Sequence, residues 1–221
     1  MKFEVEKIRA DFPALSQEVK NKPLAYLDNA ASSQVPQAVM DALSHFHGTD
    51  RSNIHRGVHT LSQRATSAYE AARAKIQGFV GAAHPEEIIL TSGTTESLNL
   101  LAHGIGQTLG PGDEILVSTM EHHSNIVPWQ MVCERTGATL VVIPINDAGE
   151  LDMPAFRSLL SDRTRLLSVV WVSNALGTVN PIDEMIALAH EKDIPVCLDA
   201  AQAAPHMAID VQALDCDYLP L

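Results

Sequence analysis

Strand and helix signals alternate along most of this 221-residue chain, and that alternation predicts an α/β fold, a mainly parallel sheet flanked by helices on both faces. Two further observations support this reading. Each short apolar run that reads as a strand ends in a polar and chemically specific stretch, as happens where an open α/β sheet presents ligands. Composition is 46% hydrophobic and 19% charged, which is enough apolar material for a well-buried core and too little charge for a disordered chain.

The elements follow in order. An N-terminal arm over residues 1–24 carries a short helix expected from Val5 to Asp11, stopped by Pro13. Leu24–Leu27 reads as a brief strand entering the small-residue turn Asp28-Asn29-Ala30-Ala31-Ser32-Ser33. Pro36 opens a helix that runs to about Phe46, because proline is tolerated in a first helical turn. Ser52 to His59 follows neither the helical nor the strand period and reads as a loop. Leu61, Ala65, Ala68, Tyr69, Ala72, Ile76, Phe79 and Val80 fall at helical spacing, and Gly81 ends that helix. Beyond it the predicted order is strand Glu87–Leu90, helix Thr95–Gln107, strand Glu114–Ser118, helix Ile126–Thr136 and strand Thr139–Ile145. Helix Met153–Leu160 and strand Leu166–Val172 come next. A helix beginning at Pro181, with Ile182, Met185, Ile186 and Ala189 on one face, leads to strand Pro195–Leu198. No repeat or Gly/Ser/Pro-rich linker divides residues 25–221, which read as one continuous α/β segment after the arm.

Charge and composition exclude several classes. A formal net charge of -12 opposes a nucleic-acid surface, which needs clustered Lys and Arg. No window approaches 18 uninterrupted apolar residues, so no membrane span is expected, and the N-terminus lacks a signal-peptide apolar core. The three cysteines, Cys133, Cys197 and Cys216, match neither a disulfide framework nor a zinc spacing, and a reducing, cytoplasmic setting fits them.

The chemistry collects at the strand ends. Thr91-Ser92-Gly93-Thr94-Thr95-Glu96 leads straight into a helix, and free backbone N–H groups there attract an anion, although Ser/Thr-rich turns also cap helices without any ligand. No GxxxxGK[ST] and no post-strand GxGxxG is present, which removes the best evidence for a nucleotide site. His122 and His123 follow the Glu114–Ser118 strand; no further ligand completes a metal set, whereas a flat imidazole stacks well on an aromatic cofactor. Asn174 either caps a turn or donates to a ligand oxygen. Asp199 either caps a helix or pairs with a cation such as a protonated pyridine nitrogen, with Gln202 beside it. Taken together, an anion cradle, a flat His, an amide and Asp-x-x-Gln suit one aromatic, phosphorylated ligand. Pyridoxal 5'-phosphate fits that description better than a flavin or a nicotinamide does.

The motifs Asp28-Asn29-Ala30-Ala31-Ser32, Asn53-Ile54-His55-Arg56-Gly57, Gly93-Thr94-Thr95-Glu96, Glu121-His122-His123-Ser124-Asn125-Ile126-Val127-Pro128-Trp129, Val172-Ser173-Asn174 and Leu198-Asp199-Ala200-Ala201-Gln202 resemble the SufS/CsdA (group II) cysteine desulfurases and selenocysteine lyases. These are class V aminotransferase-like enzymes of fold type I that use pyridoxal 5'-phosphate. The resemblance runs from about Phe3 to Tyr218. It implies that Thr94 and Thr95 hold the phosphate, that His123 stacks on the ring and serves in proton transfer, and that Asp199 pairs with the ring nitrogen. It further implies that Gln202 bonds the ring hydroxyl oxygen, and that Asn174, Ala30, Ala31 and His55 lie near substrate. The implied reaction takes L-cysteine or L-selenocysteine to L-alanine. Its sulfur passes through an enzyme cysteine to a SufE-type acceptor for iron–sulfur cluster assembly, in a cytoplasmic homodimer.

One stretch departs from the family. There, the segment after Tyr218 continues into a Ser-Gly-His-Lys turn carrying the Schiff-base lysine, where this chain reads Leu219-Pro220-Leu221. That lysine, the rest of the large domain, the C-terminal domain and the persulfide cysteine are therefore not among these 221 residues. The expectation is an N-terminal portion that is inactive by itself. A non-catalytic binding or interaction fragment, and another class V aminotransferase-like enzyme, are the alternatives. Cys133, Cys197 and Cys216 read as core cysteines, and no metal site is expected.

Overall fold

The computed structural model describes residues 3–221, which fall into two compact units, one ending at Lys75 and one spanning Ile76–Leu221.

In the N-terminal unit, α1 (Val5–Ala10) is followed by a two-residue hairpin, β1 (Glu18–Val19) against β2 (Lys22–Pro23). Lys20 and Asn21 at its tip have φ of 54° and 58°, as a turn matching the twist of two antiparallel strands requires. Arg9 holds the arm together, donating 2.7 Å hydrogen bonds to the carbonyls of Leu15 and Leu24. The strand expected at Leu24–Leu27 does not form. Leu24 N–H donates to Gln17 O, then the chain leaves the hairpin without a ladder partner and Leu27 is 92% exposed. Helix α2 (Gln37–His45) runs into a π turn at Phe46–Asp50, an irregular stretch follows to His59, and α3 (Thr60–Val80) begins.

The C-terminal unit is built on a four-stranded, wholly parallel sheet of β3 (Glu114–Ser118), β4 (Thr139–Ile143), β5 (Thr164–Val170) and β6 (Val196–Asp199), in the order β4-β3-β5-β6. The connecting helices are α5 (Val127–Thr136), α6 (Met153–Leu159) and α7 (Ile182–His190), with α4 (Thr94–Ile105) before β3 and α8 (Val211–Leu214) after β6. Successive strand residues face opposite ways, so one sheet feeds two cores. Ile115, Val117, Leu166 and Cys197 pack with Leu98, Trp129 and Val132, while Leu116, Leu167, Val169 and Leu198 pack with Phe156, Met185 and Ile186. The predicted apolar face of α7 is buried at all four positions, Ile182, Met185, Ile186 and Ala189. Beyond β6, Tyr218 and Pro220 run along its outer edge and accept from Leu198 N–H and Ala200 N–H, each at 2.8 Å.

The predicted strand at Glu87–Leu90 is also replaced. Pro85–Glu87 forms a 3-10 turn, and residues 88–90 are irregular rather than a strand. Ile89 is 70% exposed, and the segment borders a cleft of about 570 Å³ that is also lined by Val80, Leu101 and Leu219. Pro181 caps α7 rather than entering it.

The two edges of the sheet differ in kind. Where the strands begin, ion pairs dominate. Arg163 meets Glu114 at 2.6 Å, Arg165 meets Asp113 at 2.8 Å, and Asp217 Oδ2 accepts from Val196 N–H at 2.7 Å and sits 3.1 Å from His190. These partly exposed pairs each add little stability, and burial supplies most of it. Met185 is fully buried, so Met185→Ala should lower unfolding free energy by about 2–5 kcal/mol, read as a reduced urea midpoint at unchanged slope. Leu176, 53% exposed, should tolerate Ala within about 0.5 kcal/mol.

Candidate functional site

At the opposite edge, where β3, β5 and β6 end, three turns carry the polar residues. The β3 turn bears Glu121, His122 and the 3-10 turn His123–Asn125; the turn after β5 bears Asn174; β6 ends in Asp199, and the turn after it bears Gln202. Helix α4, whose first turn holds Thr94 and Thr95, packs against His123–Asn125.

The entry to α4 depends on Gly93. Its φ of 133° and ψ of 175° belong to a region open essentially to glycine alone. An added Cβ would meet no atom within 4 Å, so the requirement is dihedral rather than spatial. Glu96 reaches back to accept from Ser92 N–H at 2.5 Å, a bond that lowers its carboxyl below the usual range. Gly93 N–H is directed to Thr91 Oγ1. The loop amides thus have partners, while the amides of Thr94 and Thr95 belong to the first helical turn, which has no intrahelical acceptor to offer them. An anion suits that position.

Asp199 forms the floor. It is only 2% exposed, and its Oδ1 accepts from Ala201 N–H at 3.0 Å. No helix begins at Asp199; residues 201–206 are turns, so Asp199 does not serve as a helix cap. Burial raises its pKa, opposed by the Ala201 hydrogen bond and by the charge of His122, and no salt bridge reaches it among the described residues. An unpaired buried carboxylate of this kind is stabilised by a cation.

The two histidines differ. His122 Nδ1 lies 2.7 Å from Ser124 Oγ and accepts from Ser124 N–H, which ties that ring to its own turn. His123 is exposed, its ring tilted 53° from that of His122, and it makes no side-chain hydrogen bond among the described residues. Asn174 is exposed and Gln202 half-buried. Ala30, Ala31 and His55 belong to the N-terminal unit. There Ala31 N–H donates to Asp28 O, while His55, at φ 63°, lies 3.3 Å from Glu70 and edge-on to Tyr69.

Glu121 has a larger part than its place in the motif suggests. It is buried, bonded to Ser118, Asn125 and Val170, and burial pushes its carboxyl up to about 7, with the nearby Asp199 adding to the shift. Val170 lies 49 residues away, so spacing along the chain gave no sign of this contact. One buried polar atom, Asn180 Oδ1, has no partner, although Asn180 Nδ2 donates to Val170 O. The cysteines are poor nucleophiles. Burial raises the Cys133 thiol, and pushes Cys216 to about 11 and Cys197 to about 12. Among the described residues no group of three or more His, Cys, Asp or Glu is arranged to hold a metal, and no helix is long and apolar enough to cross a membrane.

A helix end suited to an anion, a buried carboxylate suited to a cation and an unengaged flat imidazole together fit a phosphorylated, cationic aromatic ring. Comparison with known proteins points the same way. The aminotransferase class-V family profile matches residues 25–221. A cysteine desulfurase of Dickeya dadantii is 53% identical over 217 residues, 98% of this chain and 53% of that protein. The crystal structure of the cysteine desulfurase CsdA from Escherichia coli superposes with a TM-score of 0.87 at 39% identity, over 99% of this chain and 54% of that one. The apo cysteine desulfurase of Thermococcus onnurineus NA1 gives 0.88 at 38% identity, over 97% and 52%. This chain spans about half the length of these relatives.

A raised carboxyl favours the folded state fully below its unfolded pKa, near 4.5, and that contribution is lost as pH rises through about 7. The stability of the wild-type chain should therefore fall from pH 4.5 to 7.5 more steeply than that of Glu121→Gln. Urea unfolding across that range measures the difference; parallel curves would contradict it.

Proposed function

This chain belongs to the aminotransferase class-V family, and from that membership we propose that its C-terminal unit is a pyridoxal 5'-phosphate platform of a cysteine desulfurase. The reaction proposed takes L-cysteine or L-selenocysteine to L-alanine. A SufE-type protein receives the sulfur for iron–sulfur cluster assembly, and the working form is a cytoplasmic homodimer. The observation that carries this reading is Asp199, a carboxylate 2% exposed and without a salt bridge, at the edge where His123 and the α4 N-terminus meet solvent.

Thr94 and Thr95 bind phosphate through first-turn amides and hydroxyls, where an anion gains about 0.3–1 kcal/mol at an exposed helix end. Asp199 holds a proton on the ring nitrogen, since its own charge is costly to leave unpaired. Gln202 donates to the ring hydroxyl oxygen and orients the ring in its plane. His123 would stack on the ring and, with an imidazole nitrogen not committed to a neighbour, would be free to hold or release a proton beside it. Asn174 orients the substrate side, and the family resemblance assigns Ala30, Ala31 and His55 to substrate as well. When bound, pyridoxal 5'-phosphate supplies the electron sink for this chemistry.

The 221-residue chain is proposed to bind the cofactor without turning substrate over. None of its described lysines belongs to the strand-end turns. Lys192 follows α7 and pairs with Asp162 at the edge where strands begin, Lys7 pairs with Glu4 in the arm, Lys20 and Lys22 lie in the hairpin and Lys75 lies in α3. The cysteines, Cys133 and Cys197 buried and Cys216 half-buried, all with raised thiol pKa, likewise do not supply a sulfur acceptor.

Titration with pyridoxal 5'-phosphate should produce a protein-bound visible band that borohydride does not convert into a covalent adduct. Asp199→Asn should weaken binding about tenfold or more, the scale of losing a hydrogen bond to a charged group. Absence of a band, an unaffected Asp199→Asn, or release of alanine from cysteine by the purified chain would each contradict the reading.

A further inference from the structure

Beneath the strand-end edge, buried polar side chains form one connected path. Trp129 Nε1 donates to Asn125 Oδ1 at 2.9 Å, and Ser168 Oγ donates to the same oxygen at 2.6 Å. Asn125 Nδ2 donates to Glu121 Oε2 at 2.6 Å, while Glu121 Oε1 accepts from Ser118 Oγ at 2.5 Å and from Val170 N–H at 3.0 Å. Glu121, Asn125, Ser168, Ser118 and Trp129 are all buried.

The direction of this path is fixed at both ends. An indole N–H and a backbone amide donate and never accept. Trp129 therefore obliges Asn125 to present its oxygen toward the indole, which turns the Asn125 amide NH2 toward Glu121. Val170 obliges the other carboxylate oxygen to accept as well. Glu121 thus faces donors at both oxygens, and among side chains of its length only a carboxyl group offers acceptors at both. The sequence positions explain the effect. Glu121 and Asn125 flank His122, His123 and Ser124, so the path fastens that turn to β3 through Ser118 and to β5 through Ser168 and Val170. The charged and titratable groups facing Glu121 are Asp199 and Cys197 of β6, and Asp199 in turn faces His122.

We propose that Glu121 is a positioning residue: by accepting these hydrogen bonds it fixes the His122–His123 turn over the ends of β3 and β5, and so sets where His123 meets the cofactor ring. Its role toward the cofactor rests on the reading of the preceding subsection. Glu121 touches neither cofactor nor substrate in this assignment, and acts through Asn125 and the backbone of the turn.

The polarity of the path supplies its own test. Glu121→Gln sets an NH2 group against an obligate donor, either Asn125 Nδ2 or Val170 N–H. Adding Asn125→Asp repairs it, because the amide at 121 then donates to the carboxylate at 125, which still accepts from Trp129 and Ser168. Pyridoxal 5'-phosphate affinity, from visible absorbance, and the Trp129 indole and His123 ring signals, from NMR, would be recorded for the wild-type, single and double variants. The single variant should bind about tenfold more weakly or worse and displace those signals. The double variant should recover affinity to within about threefold and return the signals. Wild-type affinity and unmoved signals in Glu121→Gln would overturn the proposal. So would a folded double variant with restored signals that still binds as weakly as the single one, since charge rather than hydrogen-bond direction would then be at work. If the single variant fails to fold, the double variant decides by the same criteria. Should the wild-type chain bind no cofactor, the functional reading fails separately, and the His123 and Trp129 signals of the three proteins still decide whether Glu121 fixes the turn.

Discussion

The parallel pairing of β3 with β5 is the interaction on which the C-terminal unit depends. Leu116 sits opposite Leu167 and Val117 opposite Ser168, with β4 and β6 added outside in the same direction. Because every strand runs one way, every strand end arrives at one edge, and the side chains that follow are gathered there without any one loop having to organise them. Both faces of the ladder are apolar, so its register is strongly determined: a one-residue slip would exchange the two cores. The seat of Asp199 opposite Val170 is a consequence of that register, as is the reach of Glu121 to the Val170 amide.

Much of this was legible in the sequence, for reasons that particular residues make plain. β3 begins and ends where Glu114 and Ser118 predict, and Ile182, Met185, Ile186 and Ala189 bury the face their spacing defines. Such elements are amphipathic or apolar enough to be specified locally. Leu24–Leu27 and Glu87–Leu90 are also apolar, yet a strand forms only within a ladder, and neither segment joins one of the described sheets. At the site, the strand-end residues are visible as motifs. Two readings of Asp199, helix cap or charged floor, were separated only by burial and by the turns that follow it. Glu121 was hidden for a different reason. Its environment is made by Ser168 and Val170, distant in sequence, and no local pattern distinguishes it from a solvated glutamate.

The two edges divide labour. Where strands begin, carboxylates already have partners: Glu114 has Arg163, Asp113 has Arg165, and Asp217 has a backbone amide and His190. Where strands end, burial raises the carboxyl pKa of both Glu121 and Asp199, and the charge of Asp199 adds to the shift at Glu121. Proteins generally satisfy buried acids locally, and departures from that habit concentrate where ligands bind. The hydrogen bonds around Glu121 show how such a departure is contained. Three donors hold a group whose charge burial disfavours, within a floor braced by Trp129 and the two cores.

The strand order also has a consequence in time. No two neighbours in this sheet are joined by a hairpin. β3 meets β4 only after α5 has formed, and its other neighbour, β5, lies about fifty residues further along. As the chain emerges from a ribosome, the apolar run Ile115-Leu116-Val117 has to wait, with one edge unclaimed, until Val170 has been added. Closing loops of that length slows parallel sheets relative to local hairpins and leaves an interval in which another nascent chain can pair with the open strand. The topology that brings the strand ends to one edge therefore leaves β3 with an unpaired edge for longer during synthesis than a hairpin would.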